Sequence, residues 1–188
     1  MHAHAPFVLG FALLLTGCGE LPTRCSHDQE PTLEVGTGAE DFASITDGQV
    51  LPAVYGLQGG QHVWVGLRLG GLVARVGGST PATQELRLEW GDYVLAEAGP
   101  VGLSLPQSGG SEFAGYTLIL NYLDYETYPD LYPADFDGSA DTNEEYDAIQ
   151  ESFDAQLAEG VRLWARVTDR CGVSAEDEVM VGVSGVAF

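Results

Sequence analysis

Over most of the chain, apolar positions recur at a spacing of two rather than at helical spacing. In His62–Leu69, Val63, Val65, Leu67 and Leu69 fall on one side, while His62, Trp64, Gly66 and Arg68 fall on the other, the alternation of a strand with one buried face. Gln84–Trp90 sets Leu86, Leu88 and Trp90 against Arg87 and Glu89, and Val161–Thr168 sets Val161, Leu163, Ala165 and Val167 inward. Val50–Tyr55 is a further short strand, bounded by Asp47-Gly48 and Gly56. Tyr116–Leu123 is apolar on both sides apart from Thr117 and Asn121, which predicts a central strand. Short runs separated by glycine-rich turns predict an all-β sandwich.

One segment departs from this pattern. From Asp124 to Glu159 the chain carries twelve Asp and Glu side chains and no Arg, Lys or His. Its second half has helical spacing: Thr142 and Glu145 match a capping box, Tyr146, Ile149, Phe153 and Leu157 form an apolar stripe, and Gly160 suits a terminator. The expectation is an insertion over 124–159, an acidic loop followed by one amphipathic helix lying on the sheet. The loop 124–141 is expected to be dispensable for the fold, because loop closure costs little more as length grows. Tyr125, Tyr128 and Tyr132 stand beside prolines; they suit either packing onto the sheet or an exposed recognition surface.

The first residues have a different logic. The apolar run Phe7–Leu15 is too short for a bilayer, which takes about 20 residues, and fits the apolar stretch of a secretory signal. It ends in Leu15-Thr16-Gly17-Cys18, which resembles the lipobox of bacterial lipoproteins. That resemblance implies removal of residues 1–17, lipid on Cys18, and a protein held outside the cytoplasm on the cell envelope, the outer membrane in preference to the inner. The chain departs from the family in lacking Lys or Arg near its start, where only His2, His4 and the amino terminus can carry positive charge. Residues 18–31 read as a tether and 32–188 as the folded domain. If Cys18 is lipidated, Cys25 and Cys171 are left as a pair, and an oxidising compartment would let them form a disulfide. Two unpaired cysteines is the alternative.

Two further resemblances concern the domain. Thr168-Asp169-Arg170-Cys171-Gly172, followed by Val179, Val181 and Val183 at a spacing of two, looks like the terminal hairpin of immunoglobulin-like sandwiches. It implies that fold and no activity. The cysteine pair that brackets a tryptophan in immunoglobulin domains does not occur here at its usual spacing. Val35-Gly36-Thr37-Gly38 with Gly56-Leu57-Gln58-Gly59-Gly60-Gln61-His62 is similar to a pattern in uncharacterised bacterial secreted lipoproteins, which implies no known activity.

Charge narrows the partners. All seven basic residues are arginine and the formal net charge is −21. Such a field repels nucleic acid and anionic lipid and favours cations or a basic partner, though it also serves solubility.

The inventory for catalysis is thin. His62 has no Gly-x-Ser-x-Gly serine to partner it and reads as a hydrogen-bonded structural histidine. Gly59-Gly60 lacks the lysine and the strand–loop–helix setting of a phosphate loop. The chain therefore reads as a non-enzymatic binding or envelope scaffold module. One alternative is a Ca²⁺-binding domain using Asp135, Asp137, Asp141 and Glu144, which fall on ligand positions when Gly138 is aligned with the EF-hand glycine. The first ligand position then falls on Pro133, so only an irregular site fits. A hydrolase using paired carboxylates is the remaining alternative.

Overall fold

The computed structural model describes residues 27, 29–56, 60–72, 81–105 and 110–186. Within them the chain folds as two five-stranded sheets packed face to face, an all-β sandwich. The strands are β1 (Thr32–Thr37), β2 (Ala43–Ser44), β3 (Gln49–Pro52), β4 (Val54–Tyr55), β5 (Gln61–Gly70), β6 (Pro81–Trp90), β7 (Tyr93–Ser104), β8 (Gly110–Ile119), β9 (Val161–Thr168) and β10 (Ser174–Ser184). One sheet is ordered β2-β1-β5-β4, with β8 along the other edge of β5; the second is ordered β3-β10-β9-β6-β7.

The alternation read from the sequence sets the core. Val63, Val65, Leu67 and Leu69 of β5 face Leu86 and Leu88 of β6 and Val161, Leu163, Ala165 and Val167 of β9, all buried. β9 and β10 form an antiparallel hairpin in register from Thr168↔Ser174 to Val161↔Val181. On the outer faces arginines pair with acids: Arg68 with Glu34 and Glu112, Arg162 with Glu89 and Glu178, and Arg166 with Glu176.

Two strand expectations are corrected. Val50–Tyr55 is not one strand: Gln49–Pro52 runs parallel to β10 in one sheet, and Val54–Tyr55 pairs with β5 in the other. Pro52 has no N–H to continue a ladder, and the chain changes sheet immediately after it, with the Ala53 N–H donating to Ser184 O. Tyr116–Leu123 is not a central strand either. β8 pairs with β5 alone and ends at Ile119, which is 61% exposed. Beyond it the Asn121 N–H leaves the first sheet and donates to Leu95 O of β7. β7 itself had no clear signal, because Gly99 and Pro100 interrupt its alternation.

The insertion lies between β8 and β9. It contains a single 3-10 turn, Pro129–Leu131, and α1 (Asn143–Gln156). The capping box is formed: the Thr142 hydroxyl accepts from the Glu145 N–H, and the Glu145 carboxylate accepts from the Thr142 N–H. Ile149, Phe153 and Leu157 are buried as expected, but Tyr146 is 49% exposed, so the apolar stripe is narrower than its sequence pattern. Gly160, at φ +77°, takes the left-handed conformation that glycine adopts without strain and turns the chain into β9.

Candidate functional site

The acidic loop is packed rather than loosely displayed, which stands against the expectation that 124–141 is dispensable. Leu131 is fully buried, and Leu123, Tyr128 and Tyr132 belong to the same core. The sequence contains the local reasons. The Asp124 carboxylate accepts the Thr127 N–H at 2.9 Å, which closes a turn. Pro129 then starts the 3-10 turn that drives Leu131 inward. The Tyr128 hydroxyl donates to Val94 O at 3.0 Å and the Tyr132 hydroxyl to Leu123 O at 2.6 Å. Burial pushes the Tyr132 phenol up to about 12, with a lesser contribution from the charge of Asp124. The hydrogen bond from the Thr127 N–H holds the Asp124 carboxyl below its usual range.

On this floor an aromatic layer is assembled. Tyr132 stacks on Phe136 at 4.8 Å and meets Phe153 of α1 edge-on at 5.1 Å, and Tyr125 meets Tyr132 edge-on at 5.3 Å. The choice between a packed and an exposed tyrosine set therefore divides by residue. Tyr128 and Tyr132 pack, whereas Tyr122 is 76% and Tyr125 37% exposed. Tyr122, Tyr125, Tyr132, Tyr146 and Phe136, with Asp124, Glu126 and Asp137, line an open cleft of about 880 Å³. A second open cleft, of about 490 Å³, lies on the other side of Phe136 against Asp135, Glu144 and Glu145. Gly138, at φ +96°, holds the turn between them.

The acids read as calcium ligands do not converge. Among the described residues no three His, Cys, Asp or Glu side chains stand close enough to hold a metal ion. Asp137 accepts the N–H and hydroxyl of Ser139. Asp135 and Glu144 line the second cleft without closing into a cage, and Asp141 offers its N–H to Glu145. That hydrogen bond, with those of Thr142, holds the Glu145 carboxyl below its usual range. The loop thus spends its local polar contacts on its own turns and on the helix cap, not on a shared oxygen cage.

His62 is buried at 7% exposure and meets Trp64 edge-on at 4.7 Å. Among the described residues its Nε2 has no hydrogen-bond partner. At the far end of β9, the His27 ring contacts the Asp169 carboxylate at 2.7 Å. Asp169 also accepts the N–H groups of Cys171 and Val173, a bond pattern that shapes the β9–β10 turn. This contact had no signal in the sequence, since the two residues lie 142 positions apart. Cys18 and Cys25 lie outside the described residues.

No protein-family model and no curated protein sequence matches this chain.

Proposed function

We propose that this chain is a lipoprotein anchored through Cys18 on the cell envelope, and that its sandwich is a non-enzymatic module whose insertion binds a cationic segment of a partner. The observation that carries the binding reading is the larger cleft, where exposed Tyr122 and Tyr125 stand beside Asp124, Glu126 and Asp137. Aromatic faces attract guanidinium and ammonium groups by about 0.5–1 kcal/mol each at exposed sites. Carboxylates with no basic residue in the same segment add attraction and steering. The rigid floor of Tyr128, Leu131 and Tyr132 supports the reading, because a preorganised surface loses less entropy on binding.

The fold within the sandwich class reads as immunoglobulin-like, supported by the β9–β10 hairpin and its alternating valines. The Cys25–Cys171 disulfide belongs to the same proposal. It is supported by the position of His27, two residues after Cys25, against Asp169, two residues before Cys171. Secretion to an oxidising compartment suits such a bond.

The binding test titrates an arginine-rich peptide against the domain at low and at physiological salt, beside an acidic peptide of equal length. The expected result is salt-weakened binding of the basic peptide alone, reduced by Tyr122→Ser with Glu126→Gln at an unchanged melting temperature. Equal affinity of the double variant would remove the cleft from the reading. Anchoring is tested separately with a clickable fatty acid, which should label wild type and not Cys18→Ala.

A further inference from the structure

The sandwich has two chemically different poles, joined by β9. At one pole stand Thr168, the turn through Asp169 and Cys171, and His27 held to Asp169 at 2.7 Å. At the other stand Val161, Trp90 and Tyr93, and the segment between β8 and β9 makes several hydrogen bonds to strand ends at that pole. Tyr93 Oη donates to Asp130, Asn121 Nδ2 to Val94 O, Gln150 Nε2 to Val186 O, and the Val183 N–H to Leu157 O. With eight residues in β9 at about 3.3 Å per residue, the poles lie about 23 Å apart before the thickness of the insertion is added.

We infer that the anchored domain stands with its β9–β10 turn towards the lipid and its insertion away, so that the aromatic cleft faces a partner outside its own membrane. This rests on the reading that Cys18 carries the lipid. The chain that comes from the anchor meets the described domain at His27, and His27 is fixed at the turn pole. His27 is the ninth residue after Cys18, a span of at most about 30 Å when fully drawn out. Laying the insertion on the lipid would lift His27 more than about 20 Å, and so would stretch that span to about two-thirds of its full length or more. Charge opposes the same inversion. The segment 124–159 holds twelve carboxylates and no basic residue, and an anionic bilayer repels such a pole strongly within a Debye length of about 8 Å. The paired arginines sit on the strands, Arg162 beside Val161 and ion-paired with Glu89 and Glu178, and the insertion itself carries no basic residue to draw it down.

The partner surface therefore belongs to another molecule or layer, not to the lipid that holds the anchor. The test uses the lipidated full chain on vesicles of mixed phosphatidylethanolamine and phosphatidylglycerol that carry a headgroup acceptor dye. A donor dye is attached through an azide-bearing non-canonical residue at position Ser139, exposed in the insertion, or at Glu176, exposed near the turn pole. Glu176 pairs with Arg166, five residues from Val161, so the two donors should differ in height by about 17 Å or more. Energy transfer should be clearly stronger from position 176 than from position 139. Equal or reversed transfer from protein that floats with the vesicles overturns the orientation and leaves the anchor intact. Protein that does not float overturns the anchor, and the orientation with it.

Discussion

Replacing Leu131 by alanine separates a packed insertion from a displayed loop. Leu131 is fully exposed to neither solvent nor cleft; it is 0% accessible, in one core with Leu123, Tyr132 and Phe153. Burying a leucine side chain is worth about 1.5–3 kcal/mol of transfer free energy. The cavity left behind adds to the loss, which gives a total of about 2–5 kcal/mol. Against a domain stability of about 5–15 kcal/mol, that is a large fraction. At about 2–4 °C per kcal/mol for a domain of this size, Leu131→Ala should lower the melting temperature by roughly 4–20 °C. Urea unfolding followed by tryptophan fluorescence should show a lower midpoint with the slope kept, which marks lost stability rather than a changed unfolded state. Tyr122→Ala, at a position 76% exposed, is the control and should stay within about 0.5 kcal/mol of wild type. If Leu131→Ala unfolds like the control, the segment is only resting on the sandwich and its place in the core is refuted.

Peptide mapping of the mature protein without reduction should link the peptides that contain Cys25 and Cys171; two alkylatable thiols in natively purified protein would refute the pairing. A second outcome concerns alkaline pH. The Tyr132 phenol is raised to about 12 by burial, against about 10 in an unfolded chain. The unfolded state therefore gives up this proton first, and stability should be full below pH 10 and fall between about pH 10 and 12. Melts with Tyr132→Phe should show a shallower fall over that window; an identical slope would mean that other groups carry it. At the acid end the signs reverse for Asp124 and Glu145, whose carboxyls are held low by backbone N–H groups. Their contribution is present above the unfolded carboxylate range and should be lost as pH falls through their lowered values, seen for Glu145 as helix fraying by circular dichroism and for both as a lower melting temperature.

The strand alternation of β5, β6 and β9, the capping box at Thr142, and Ile149, Phe153 and Leu157 were legible in the sequence. Each depends on neighbours within a turn or along one strand, where periodicity dictates which side chains share a face. What surrounds that face is not local. Tyr116–Leu123 is apolar on both sides, yet β8 lies at an edge because only β5 comes to pair with it. The sequence of Asp124–Asp141 carries the marks of a solvated loop. Only the carbonyls of Val94 and Leu123, brought within reach of Tyr128 and Tyr132, turn it into core. The same holds for the candidate site. Acidity and tyrosine content were visible along the chain, but which tyrosines face the cleft and which form its floor depends on the sheet end beneath them. The scattering of Asp135, Asp137, Asp141 and Glu144, read in sequence as a ligand set, has the same cause. Spacing along a chain suggests ligands, but in the folded insertion the Asp137 carboxylate turns onto Ser139, the Asp141 N–H is given to the helix cap, and no three of these acids meet.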